Sequence, residues 1–139
     1  GAGVYPEHRT VFPGGSMMTV EPNPELIKAV EAAGKKCREG NFYLLLQVQA
    51  YTMETVAELS LVNESKVIKF ATVPVRAWGE GVVLVKSEYL RDALKILAAR
   101  DGRLGIYGTG KQNSLTGTGC GVRLVAIGKE IPESLRLVA

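Results

Sequence analysis

The sequence predicts an α+β domain in which antiparallel sheets carry two helices on one side. Three observations lead there. Two stretches show helical apolar spacing, each opened by a start signal and closed by a stop signal. Several shorter runs alternate apolar and polar residues or are rich in β-branched ones, as strands are. The elements run about β, α, β-β-β-β, α, β-β-β, so strands outnumber helices and the two helices sit in similar contexts.

Val4 to Phe12 reads as an edge strand or an extended arm, held to an edge or a strand end by Pro6. Pro13-Gly14-Gly15-Ser16 is a turn cluster, and Met17 to Val20 is a short pairing segment. Asn23-Pro24-Glu25 then starts a helix: Asn23 caps, Pro24 takes the first helical position and Glu25 favours the positive end of the dipole. Leu26, Val30, Ala33 and Cys37 form its apolar stripe, and Gly40 ends it. Gly34 inside that helix costs about 1 kcal/mol relative to alanine, which close approach of another backbone would explain.

Leu44, Leu46, Val48 and Ala50 alternate with Leu45, Gln47, Gln49 and Tyr51, the pattern of a half-buried strand. Ala57, Leu59 and Leu61 repeat it after a turn near Thr52-Met53. Val67 to Pro74 and Val75 to Trp78 read as short strands with Pro74 as a bend. Val82-Val83-Leu84-Val85 is a buried strand that runs straight into the second helix. There Ser87 is the expected cap, and Leu90, Ala93, Leu94 and Leu97 make the stripe. Arg100 and Gly102 are the stop. Arg103 to Tyr107, Ser114 to Gly119 and Gly121 to Gly128 follow as strands, and residues from Ile131 form an edge strand or a docking arm. One domain over residues 1–139 is expected, with 1–9 as an arm and 129–139 as a tail.

Charge narrows function only slightly. A formal net charge of +3 permits an acidic partner such as nucleic acid without calling for one. Cys37 and Cys120 have neither metal spacing nor a disulfide framework and read as buried free thiols. No apolar run reaches about 18 residues, the length of a membrane span, and no signal-peptide pattern is present, so a cytoplasmic setting without membrane contact is expected. Gly105-Ile106-Tyr107-Gly108-Thr109-Gly110-Lys111-Gln112 has the glycines and lysine of a phosphate loop. However, Gln112 replaces the magnesium-binding hydroxyl and no helix follows, so it reads as a hairpin loop. His8 lacks partners for acid–base work, and Glu54 and Glu58 read as solvated surface. No catalytic, metal or cofactor residues are therefore assigned, and an enzyme is not expected.

The basic helix faces are more informative. Lys28, Lys35 and Arg38 share one side of the first helix with Lys36 at its edge, and Arg91 and Lys95 project from the second among Glu88 and Asp92. These six residues read as a solvated face or, alternatively, as weak contacts to a phosphate backbone made without reading sequence. No aromatics interleave with them, so they do not form a stacking platform for single strands.

One further pattern bears on function. Phe12-Pro13, the helix Leu26-Ile27-x-Ala29-Val30-x-x-Ala33, the strand pair Leu44 to Val62 and the unit Val83-Leu84-Val85-x-x-x-Tyr89-Leu90-x-Asp92-Ala93-Leu94-x-x-Leu97 occur in this order. With the closing strands Arg103 to Ile127, they resemble one domain of a DNA polymerase sliding clamp of the bacterial β-subunit type, over roughly residues 10–128. The resemblance implies a non-enzymatic domain in a ring whose inner helices meet duplex DNA through Lys28, Lys35, Lys36, Arg38, Arg91 and Lys95. Such rings are assemblies of six domains from two or three longer chains, so one domain per chain implies a homo-oligomer or addition to another protein. Two other readings stay open. One is an interaction module of the same fold that docks on a polymerase or another replication or transcription partner. The other is a small-ligand or enzymatic α+β domain with its site at a subunit interface.

Overall fold

The computed structural model describes residues 16–50, 54–64, 66–108, 113–118 and 125–131. Two antiparallel sheets and two helices make an α+β fold, as expected. The strands are β1 (Ser16–Val20), β2 (Tyr43–Ala50), β3 (Thr55–Asn63), β4 (Lys66–Pro74), β5 (Ala77–Trp78), β6 (Gly81–Val85), β7 (Arg103–Gly108), β8 (Asn113–Thr118) and β9 (Val125–Ile127). The helices are α1 (Pro24–Gly40) and α2 (Ser87–Ala99). The segment expected as a strand from Val75 to Trp78 is shorter, because Val75 and Arg76 precede the two paired residues of β5. The expectations for His8, Phe12-Pro13, the Thr109–Gln112 loop, Cys120 and the tail beyond Ile131 lie outside the described residues.

The topology contains an internal repeat. A first half, β1-α1-β2-β3-β4, and a second half, β6-α2-β7-β8-β9, follow the same order. The leading strand of each half leaves its own sheet and completes the other. β6 pairs with β2 in the sheet β4-β3-β2-β6, from Leu44 opposite Val85 to Val48 opposite Gly81. β1 pairs with β7 in the sheet β5-β1-β7-β8-β9, from Ser16 opposite Gly108 to Val20 opposite Leu104. β5 is an addition to this plan at one edge.

Each helix lies on the sheet of its own half, α1 over β2, β3 and β4, and α2 over β7 and β8, and the helices also pack on each other. Asn23 caps α1 as expected, its Oδ1 accepting the Leu26 N–H at 2.8 Å. At the other end Asn41, not Gly40, takes the left-handed cap position with φ 56°. In α2 the expected cap fails. Lys86 holds the N-cap position with no side-chain bond, and Ser87 is the first helical residue, its side chain turned inward. Past Ala99 the left-handed residue is Asp101, with φ 53°, and the Gly102 N–H bonds the Leu97 carbonyl at 2.8 Å. No described helix is long and apolar enough to cross a membrane.

The main core lies between helices and sheets and holds Leu26, Val30, Leu44, Leu46, Leu59, Leu90, Leu94, Leu97, Leu104, Ile106 and Leu115. β6 is buried at all five positions, as its apolar run requires. Val83 and Val85 enter the main core, whereas Val82 and Leu84 join Leu45, Val62 and Ile131 in a second cluster. The face of β2 expected to be solvated is therefore covered at Leu45, because the segment ending at Ile131 lies across it.

Asn113 fastens that closure. It is 1% exposed; its Oδ1 accepts the Leu84 N–H at 3.2 Å and its Nδ2 donates to the Lys129 carbonyl at 2.9 Å. Its main-chain carbonyl accepts the Gly128 N–H at 2.7 Å, and Leu84 O accepts the Lys129 N–H at 2.7 Å. A Cβ at Gly128 would run into the Asn113 side chain, so only glycine fits there. One amide thus ties the free edge of β6 to β8 and to the closing segment. Asn113→Ala leaves the Leu84 N–H without its partner and is expected to cost about 1–3 kcal/mol of unfolding free energy. Chemical denaturation checks this, and an unchanged midpoint would show the link to be dispensable.

Candidate nucleic-acid interface

The candidate residues gather on the helix layer. α1 and α2 run antiparallel, since Glu31 meets Lys95 while Gly34, further along α1, meets Ser87 at the start of α2. Gly34 is buried at the crossing. A Cβ there would lie 3.4 Å from Ser87 Oγ and 3.3 Å from Arg38 Nη1. The neighbour that approaches Gly34 is thus side chain rather than the backbone expected from the sequence. Cys37 is buried and hydrogen-bonded to Ser87, and its burial pushes the thiol above its usual range. Cys37 is thus a buried free thiol, as the sequence suggested.

A groove of about 150 Å³ runs along the helix contact, lined by Glu31, Lys35, Arg38, Ser87, Glu88 and Arg91 among others. The six candidates divide electrostatically. Lys95 Nζ sits 2.7 Å from Glu31, and this bond, with the Lys95 charge, holds the Glu31 carboxyl below its usual range. Arg91 Nε bonds Asp92 at 2.9 Å, and Lys36 lies 3.9 Å from Glu39. Lys28, Lys35 and Arg38 have no salt-bridge partner among the described residues. All three are exposed on α1.

The free faces of the two helices therefore differ. That of α1 carries exposed cations outside any salt bridge among the described residues, whereas α2 exposes Tyr89 (46%) and Ile96 (40%). Sequence periodicity placed the cations correctly on their helices but could not show that Lys95 crosses to Glu31, a partner far away in the chain. At the C-terminal end of α1 the groove widens into a second cleft, reached by Phe42, Tyr43 and Lys86. These residues had no sequence signal, because Phe42 and Tyr43 read locally as the start of a strand.

The tight crossing gives a graded test. Gly34→Ala removes the glycine cost of about 1 kcal/mol and meets only side-chain atoms. It is expected to leave stability unchanged or raise it by up to that amount. Gly34→Leu must push α2 away and is expected to cost about 1–3 kcal/mol; thermal melts of both variants read the difference. Compared with family models, curated proteins and solved structures, the chain matches none.

Proposed function

We propose that this chain is a non-enzymatic, sliding-clamp-like domain that lays its helix layer on duplex DNA and contacts the phosphate backbone without reading base sequence. The observation that carries the reading is the trio Lys28, Lys35 and Arg38, exposed on one helix and outside every salt bridge among the described residues. Free cations on a rigid helix release counterions when they meet phosphates, whereas the paired Arg91, Lys95 and Lys36 must first give up a carboxylate. The repeated topology supports the same reading, because it puts both helices in one layer and leaves sheet edges at the flanks.

Three phosphate contacts give weak binding per copy. Useful affinity then comes from several copies acting together on one duplex. Edge-to-edge association of copies supplies that arrangement: β4 pairs with β3 alone among the described residues and exposes Val67 and Ile68. The same edge favours a second reading, an interaction module that takes an extended segment of a polymerase or another replication partner by strand addition.

Duplex binding followed against salt tests the first reading. The slope of log affinity on log salt is expected near −3 per bound copy, about 0.9 for each phosphate neutralised. The combined Lys28→Glu, Lys35→Glu and Arg38→Glu variant is expected to lose that slope and most of the affinity. Equal binding by parent and variant would overturn the assignment. Retained capture of a protein partner by the charge-reversed variant would favour the second reading.

A further inference from the structure

The second cleft, at the C-terminal end of α1, has a volume of about 430 Å³, within the roughly 300–1,000 Å³ range of small-molecule sites. Its lining is mixed in an informative way. Arg38 comes from the last turn of α1 and Lys86 from the junction of β6 and α2, so two cations distant in sequence line one hollow, with Lys86 Nζ 5.9 Å from the exposed Tyr89 ring. Neither has a salt-bridge partner among the described residues. Half-buried Phe42, packed on the edge of the main core, supplies aromatic wall, whereas the Tyr43 side chain packs on the second cluster; Glu88 is the acidic member of the lining. Lys129 Nζ rests 4.5 Å from the Tyr43 ring centroid, and Lys129 is outside the lining of the cleft.

Two cations beside aromatic wall suit a ligand with an anionic group and a flat, weakly polar body. A guanidinium binds phosphate by its planar fork and an ammonium adds a point charge. A base can lie against aromatic side chains whatever its identity. We propose that this cleft binds a nucleotide, its phosphate on Arg38 and Lys86 and its base against Phe42. The nucleotide is either free in solution or the unpaired, phosphorylated end of a strand. Glu88 opposes the phosphate and keeps the affinity modest. The proposal rests on the cleft and not on duplex binding, so either can fail without the other.

Amide chemical shifts of the full chain, titrated with dAMP, adenosine and inorganic phosphate, test it. With dAMP the largest shifts are expected at Phe42, Tyr43 and Ser87, with adenosine and phosphate each at least fivefold weaker. Arg38→Gln and Lys86→Gln are each expected to weaken dAMP at least fivefold, and Glu88→Gln to strengthen it severalfold, a gain that misfolding cannot produce. A 5′-phosphorylated single-stranded oligonucleotide that shifts the same amides more tightly than dAMP identifies a strand end as the source; dAMP binding without oligonucleotide binding identifies the free nucleotide. Phosphate binding as tightly as dAMP, adenosine matching dAMP, or no shift at these amides would each overturn the proposal.

Discussion

The structure depends on the exchange of leading strands between its halves. β1 completes the sheet of the second half and β6 that of the first, so neither half has a finished sheet without the other. This constraint places the helices. Each must cover the sheet of its own half, and the interlocked sheets bring the helices side by side, close enough that Gly34 and Ser87 meet. The same interlock buries β6 on both faces and leaves its outer edge to be satisfied by Asn113 and the segment through Ile131. A layer of two touching helices is a consequence of how the sheets are completed rather than of helix–helix affinity alone.

Electrostatics then distinguishes the helices. The inter-helix ion pair Glu31–Lys95 and the local pair Arg91–Asp92 engage Lys95 and Arg91 of α2, while Lys28, Lys35 and Arg38 of α1 stay outside any salt bridge among the described residues. Exposed ion pairs of this kind contribute little to stability, so their main effect is on where positive potential remains. It remains along α1 and at the cleft beyond its last turn, where Arg38 belongs to both the groove and the cleft. The surface offered to an anion is therefore asymmetric, although the topology is repeated.

Much of this was legible locally. Asn23-Pro24 set the start of α1, the apolar stripes gave the buried faces of both helices, and the Val82–Val85 run read as a buried strand. What failed was decided by distant contacts. Ser87 looks like a cap, but its hydroxyl is engaged by Cys37 across the helix contact, and Lys86 takes the cap position instead. Leu45 looks exposed by alternation, but a segment more than eighty residues later covers it. The strand exchange has no local signature, since pairing partners such as Met18 and Ile106 are chosen by the whole fold. The candidate cations were all visible in the sequence; which of them are free was not.

The most direct test of the account is a map of the surface that duplex DNA touches, obtained from amide protection or chemical shifts on adding a short blunt duplex at low salt. Perturbed residues are expected to follow α1 through Lys28, Lys35 and Arg38 and cross to the groove-lining side of α2, with the sheets silent. Perturbation centred on the sheets, or a duplex that perturbs nothing at low salt, would contradict it.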